Sequence, residues 1–258
     1  MSEIKIDTEG AVRILTISNE PLRNAFAHDM AADLLRGFDE ADADPGIRVV
    51  VVTGAGDIAF SSGHDLKEIA SGAYADSGLG ELPFLRPLTM KKPVIAAVNG
   101  HCYAAAFILA LSCDLRVVSS NASFGSPGAR LGMLPEGGQL GRLPQLMSPA
   151  RALELMYTAQ PMDAEDAYAH RFASRLVPQG QALAAALELA QTIAANAPDV
   201  IAAIKHGVNL GLHGGPEEAT RYEESIARDL EQLPAAKEGV SAFLEKRTPV
   251  FADATQDA

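Results

Sequence analysis

The chain is short of cysteine, of basic residues and of long apolar runs. Its two cysteines, Cys102 and Cys113, sit in or beside one apolar stretch, with no metal-type spacing. They read as reduced core thiols of a cytoplasmic protein, not as a disulfide framework. Lys and Arg number 21 against 33 Asp and Glu, for a formal net charge of −12. Such a surface repels polyanions, which excludes nucleic acid as a general partner. An anionic ligand would need a local basic patch. No apolar run reaches the ~18 residues of a membrane-spanning helix, so no membrane partner is expected. The N-terminus, Met1-Ser2-Glu3-Ile4-Lys5, has no basic segment followed by an apolar one, and no secretory signal is expected. No ligand cluster suggests a metal.

What is present is a large apolar share. The 258 residues are 48% hydrophobic, which suits one large domain, or one domain with an appendage, around a sizeable core. Val12 to Ile17 alternates and is β-rich, so it reads as a strand. Residues 27–44 place Met30, Leu34, Leu35 and Phe38 at helical spacing. Val49 to Val52, ending at Thr53-Gly54, and Pro93 to Val98, closed by Asn99-Gly100, read as buried strands. A helix from Ala104 to Ser112 and a strand from Leu115 to Val118 follow. This alternation favours an α/β layered fold. From about residue 148 helical patterns dominate: 148–158, 163–170, 180–196, 199–210, 216–232 and 235–244. Prolines 144, 149, 161, 178, 198 and 216 punctuate them at or near their starts. Residues 72–82 carry little pattern and read as a surface loop. The tail after Phe251 is small and polar and reads as frayed.

Two loops carry the chemistry. One is Phe60-Ser61-Ser62-Gly63-His64-Asp65-Leu66-Lys67-Glu68. The other is Asn99-Gly100-His101-Cys102-Tyr103-Ala104-Ala105-Ala106, which leads into a helix. Gly63-His64 reads as a tight turn into a helix start. Amides at such starts are donors without an in-helix acceptor, and the helix dipole favours an anion there. Two such loops suit an acyl thioester whose oxygen gains charge as an enolate forms. The bland alternative for Ala104 to Ala106 is a small-residue seam for helix packing.

Arg23-Asn24-Ala25-Phe26, the Phe60 to Glu68 loop, Lys92 to Gly100 and Cys113-Asp114-Leu115-Arg116 resemble the crotonase family, the enoyl-CoA hydratase/isomerase superfamily. Ala122-Ser123-Phe124-Gly125, Leu131-Gly132-Met133-Leu134-Pro135 and Phe243-Leu244-Glu245-Lys246-Arg247 extend the match in family order over roughly residues 10–251. The resemblance implies a spiral of β-β-α units over 1–195, holding an acyl-CoA site. It implies a helical region over 196–258 that packs subunits into a homotrimer, often a dimer of trimers. It also implies that the amides of His64 and Ala105 form the oxyanion hole. Arg23 and Lys67, with Lys246 and Arg247 from this or a neighbouring subunit, would face the CoA phosphates. Ala25, Ser62, Asp65 and Leu66 would border the nucleotide and pantetheine groove, with Tyr103, Pro127 and Gly128 near the acyl group. The family needs no metal or redox cofactor; coenzyme A is part of the substrate.

Departures from the family pattern decide which reactions remain. Ala104, Ala105 and Ala106 stand where the family usually has glycines. Ile108 and Gly128 stand where its hydratases place their two glutamates. Hydration needs a base for water and a proton donor to carbon, and neither residue can serve. Glu136, after Leu134-Pro135, matches a place where some family isomerases carry a carboxylate. One carboxylate can shuttle a proton between two carbons, so double-bond isomerisation is the expected reaction. The alternative for Glu136 is a helix N-cap or first-turn acid. Other readings are hydration by family resemblance, decarboxylation of a malonyl-type CoA with the His64 imidazole holding the carboxylate, and acyl-CoA binding without catalysis. Asp65 reads mainly as a loop brace, His101 as a structural histidine in a turn, and Tyr103 as either packing or pocket lining. Lys91-Lys92 reads as a solvated strand entrance.

Overall fold

The computed structural model describes residues 2–65, 67, 70 and 80–252. One sheet runs in the order β1 (Glu3–Glu9), β2 (Val12–Ser18), β3 (Val49–Gly54), β5 (Val94–Val98), β7 (Leu115–Ser119), β10 (Arg175–Val177). A second, smaller sheet runs β4 (Ala59–Ser61), β6 (His101–Tyr103), β8 (Ser123–Gly125), β9 (Met162–Asp163). β1 and β2 form an antiparallel hairpin with Glu9 opposite Val12, and β2 to β10 are joined in parallel. Parallel neighbours need crossovers; β2 reaches β3 through the helix His28–Ala43, and every crossover after β3 visits the second sheet. β3 is followed by β4. β5 is followed by β6 and the helix Ala105–Ser112. β7 is followed by β8 and the helix Gly128–Leu131. Each unit gives one strand to each sheet, which produces the spiral that the resemblance implies.

The corners between sheets demand small residues and side-chain amides. A β-carbon on Gly54 would lie 2.3 Å from the Ala59 carbonyl oxygen, and one on Gly100 2.0 Å from that of Ile58. Asn99 knits this corner. Its Nδ2 donates to the carbonyls of Gly54, Gly56 and Ala59 at 3.0, 2.8 and 3.1 Å, and its Oδ1 accepts from the Gly54 amide at 3.1 Å. Asn24 likewise donates to Ala55 and Ala59. Buried carbonyls that lose their ladder partner at a bend are satisfied this way.

Period-two alternation divides the core. Val50, Val52, Ala96 and Val98 face the interior between the sheets and the helices His28–Ala43 and Ala105–Ser112. Val49, Val51, Ile95 and Ala97 face the other way, onto Ala182, Ala186 and Ala190 of the helix Ala182–Ala194. Alanines at i, i+4, i+8 let that helix lie close on the sheet. The helix Pro198–Gly214 is pinned by Lys205, whose buried ammonium donates to Pro87 O, Lys92 O and Asp114 Oδ2 at 2.8, 2.9 and 2.8 Å. The helices Pro216–Gln232 and Pro234–Glu245 follow.

The expected strands and the expected C-terminal helices are all present, with ends shifted by a few residues. Three local expectations are corrected. Pro144 lies inside the helix Gln139–Leu146 and not at a start, which denies the Leu140 carbonyl its helical bond. His101 is on β6, not in a turn. Lys92 is half-buried, and its ammonium caps the helix His28–Ala43 through the carbonyls of Ala41 and Asp44, so it is no solvated entrance. Most of the 72–82 stretch and the tail beyond residue 252 lie outside the described residues.

Candidate functional site

The first loop leaves β4 and is stitched to the segment 22–26. Ser62 N donates to Arg23 O at 3.0 Å, and Ser62 Oγ to Leu22 O at 3.1 Å. Phe26 N donates to Gly63 O at 2.8 Å and Asp65 N to Phe26 O at 3.0 Å, a parallel bridge across Phe26 and His64. In such a bridge the middle residue turns its own N–H and C=O away from its partner strand. The His64 amide therefore faces away from Phe26. Gly63 has φ +91°, a conformation glycine reaches without steric cost. The Asp65 carboxylate accepts from Lys67 N at 2.8 Å, so its side chain braces the loop as expected. Arg23, Ala25, Ser62, His64, Asp65 and Lys67 are thus brought together. Leu66 lies outside the described residues.

The second loop is set by Ala104. Its N donates to Gly125 O at 3.0 Å, and its own carbonyl accepts from Ile108 N at 3.1 Å. It has φ 53° and ψ −121°, a backbone shape usually reserved for glycine. Ala105 is the first residue of the helix, where no in-helix carbonyl reaches its amide. The helix is buried along its whole length. The loops meet here. A β-carbon on Gly63 would lie 2.9 Å from Ala104 Cβ, 2.9 Å from Tyr103 O and 3.3 Å from Ala105 N.

The acids follow from the segment 127–138. Pro127 precedes the helix Gly128–Leu131, and a β-carbon on Gly128 would press on the Met133 carbonyl at 2.7 Å. Gly137, with φ +65°, lies directly on Ile108; a β-carbon there would sit 2.5 Å from Ile108 Cδ1. The loop carrying Glu136 therefore closes over Ile108, one of the positions where the resemblance sets glutamate. The Glu136 side chain is exposed in the single chain. Gly138, not Glu136, is the N-cap of the helix Gln139–Leu146, so the helix-start alternative for Glu136 is not what its backbone does. Its carbonyl accepts from Gln139 Nε2 at 3.0 Å.

The remaining candidates separate. The His64 ring stands edge-on to Phe84, with centroids 5.1 Å apart, and its Nε2 is 3.8 Å from Glu81 Oε1. Tyr103 OH and His101 Nδ1 both meet Ser123 Oγ, at 2.9 and 2.8 Å, and the two rings stack at 5.6 Å. This satisfies His101 structurally and holds the Tyr103 hydroxyl on β8. Lys246 is the left-handed C-cap of the helix Pro234–Glu245. Arg247 is bound to Glu238 at 2.6 and 2.9 Å and to Glu245 at 2.7 Å. Cys102 and Cys113 are buried free thiols, and burial pushes Cys113 up to about 12, with neighbouring Arg116 opposing that rise. Neither is a ready nucleophile. Among the described residues no cluster of three or more His, Cys, Asp or Glu could hold a metal, and no helix is long and apolar enough to cross a membrane.

Sequence reasoning missed Glu81 and Ser123. Ser123 meets His101 only through the β6–β8 register, which strands of three residues do not announce. Glu81 lies within the unpatterned stretch 72–82, and no motif marks it.

The profile of the enoyl-CoA hydratase/isomerase family matches residues 7–254. A carnitinyl-CoA dehydratase of Citrobacter koseri is 37% identical over 97% of this chain and 99% of its own length. The structure of a probable enoyl-CoA hydratase/isomerase from Mycobacterium abscessus superposes with a TM-score of 0.89 at 38% identity, covering 98% of this chain and 99% of that one. An enoyl-CoA hydratase from Mycobacterium marinum superposes with a TM-score of 0.91 at 34% identity, covering 98% of this chain and 100% of that one. With the spiral, the two touching loops and this full-length agreement, the chain belongs to the enoyl-CoA hydratase/isomerase family.

Proposed function

We propose that the protein binds an acyl-CoA thioester and stabilises its enolate with the main-chain N–H groups of His64 and Ala105, while Glu136 carries a proton between two carbons. The carboxylate takes a proton from the carbon next to the thioester. The electron pair moves to the thioester oxygen, and the proton returns two carbons further along, shifting a double bond. The observation that carries this reading is the close approach of Gly63 to Ala104 and Ala105, which brings the two loops together. Amides aimed in advance at a developing oxyanion are worth about 2.7–4 kcal/mol each. Glu136 is supported by the seating of Gly137 on Ile108. Arg23 and Lys67 supply positive charge to the CoA phosphates, on a protein whose net charge is −12. The region 196–258 packs subunits together.

Dehydration is the second reading, favoured by the 37% identity to carnitinyl-CoA dehydratases. Loss of water from a 3-hydroxyacyl thioester passes through the same enolate. The test is a panel of enoyl-, dienoyl-, 3-hydroxyacyl- and malonyl-type CoA thioesters with product mass analysis. Isomerisation keeps the mass, dehydration removes one water, and decarboxylation removes carbon dioxide. Double-bond migration that persists unchanged in Glu136→Gln would end the proposed role of Glu136.

A further inference from the structure

We infer that Glu81 is a positioning residue for the oxyanion loop, acting through the imidazole of His64. Glu81 occupies the N-cap of the helix Leu82–Leu85, yet its carboxylate makes no capping bond. It turns instead toward His64, at 3.8 Å from Nε2, with the two side chains only 27% and 11% exposed. The other carboxylate oxygen, Oε2, is buried with no hydrogen-bond partner among the described residues. A carboxylate oxygen held out of water without a donor is costly, so something must favour its place. The imidazole is a polar group within its reach. At 3.8 Å the His64 Nε2 lies beyond hydrogen-bond distance, so the carboxylate acts on the ring through its field and pulls on it without fixing its angle.

The surroundings convert that pull into control of the loop. Phe84 lies edge-on to the His64 ring at 5.1 Å and to Phe26 at 4.9 Å. Phe26 in turn holds the loop backbone through its bonds to Gly63 and Asp65. His64 is therefore gripped at the main chain by Phe26 and at the ring by Phe84 and Glu81. A residue gripped at both ends cannot rotate its own amide freely. The short helix carrying Glu81 and Phe84 also packs against the helix Ala105–Ser112, whose first amide is the second donor. One element thus ties both donors into a single frame, and Glu81 is its charged contact. The function is preorganisation, which makes amides effective at the moment charge develops.

This inference rests on the acyl-CoA reading, and the test separates the two. The probe is acetyl-CoA labelled with carbon-13 at the thioester carbonyl. In wild-type protein the bound carbonyl resonance moves downfield, as an oxyanion hole polarises it. Glu81→Gln keeps size and removes the charge. Its expected signature is a smaller downfield displacement with acetyl-CoA affinity preserved. On whichever thioester is turned over, kcat falls about tenfold while KM moves less than about threefold, the pattern of an interaction made in the transition state. His64→Gln gives a similar loss, and the double variant is no worse than His64→Gln alone, because Glu81 acts only through that ring. A full-size displacement in Glu81→Gln, or losses that add in the double variant, would overturn the role of Glu81. Failure of wild-type protein to bind acetyl-CoA, or binding with an undisplaced carbonyl, would remove the acyl-CoA reading itself, and this inference with it.

Discussion

Gly63 stands so close to Ala105 that a single added β-carbon would lie 3.3 Å from the Ala105 nitrogen and 2.9 Å from Ala104 Cβ. The neighbour of each proposed donor therefore touches the other loop, and no side chain fits between them. Gly63→Ala should fail twice, through this contact and through φ +91°. The loops must part, and one donor leaves its aim. Turnover should fall by roughly 10²–10³, the usual loss for one oxyanion donor. Steady-state kinetics with a thermal melt checks this. A variant with wild-type kcat would mean that the loops do not work as one site.

Ala104 holds φ 53° and ψ −121° with a side chain, where glycine would rest more easily. Such a backbone costs about 1–3 kcal/mol. Ala104→Gly relieves it but adds about 0.5–1 kcal/mol of unfolded-state entropy. The net gain of about 1 kcal/mol should raise the melting temperature by roughly 2–4 °C. The Gly125 carbonyl that accepts the Ala104 amide, and the Tyr103 ring packed against Gly125, hold the turn in either variant. A lower melting temperature would show that these contacts, and not the residue type, govern the turn.

The elements readable from sequence are those with an unambiguous period or a stop signal. Val49 to Val52 and Pro93 to Val98 are unbroken β-branched and apolar runs ended by glycine. The C-terminal helices begin at prolines 149, 198, 216 and 234. β4, β6 and β8 have three residues each, too few to show alternation, so the smaller sheet was invisible without the spiral that folds it back. Both site loops were legible because small residues beside a helix start imply close backbone approach. Glu81 was not, since its meaning arises only when residues 64 and 84 arrive beside it. Arg247 was placed at the CoA phosphates by resemblance, from this or a neighbouring subunit; within this chain two acids of the preceding helix, Glu238 and Glu245, already claim it.

That claim on Arg247 has a pH signature. Hydrogen bonding to Arg247, then to the Val250 amide, holds the Glu238 carboxyl down to about 2. A depressed folded-state value means that the ion pair favours folding above the unfolded value of about 4.3. The benefit fades as pH falls from there toward 2. The site is solvent-exposed, so salt should weaken it. Glu238→Gln should lower the melting temperature slightly and equally at pH 7 and pH 6, with the gap closing below about pH 4. Melts of both proteins across that range check the sign. A gap that widens in acid would contradict it.

The helix Pro198–Gly214 leaves Val200, Ile204, Val208 and Leu212 exposed at 39, 56, 58 and 37%. Their spacing of four residues aligns them in one apolar stripe. Val240, Phe243 and Leu244 are more exposed still, at 63, 82 and 74%. Water is an unfavourable neighbour for contiguous apolar surface of this kind, and a second copy of the chain is the proposed cover. Ile204→Glu combined with Val208→Glu forfeits about 1.5–3 kcal/mol of burial per residue at each interface. That weakens assembly by roughly 10²–10⁴ in Kd. Sedimentation should show wild-type protein as a trimer or hexamer and the double variant as smaller species with unchanged helix content. The stripe tolerates the charges within one chain, because both side chains already face outward. A wild-type chain that sediments as a monomer would leave this stripe without its proposed partner. An assembled double variant would move the interface elsewhere on the fold.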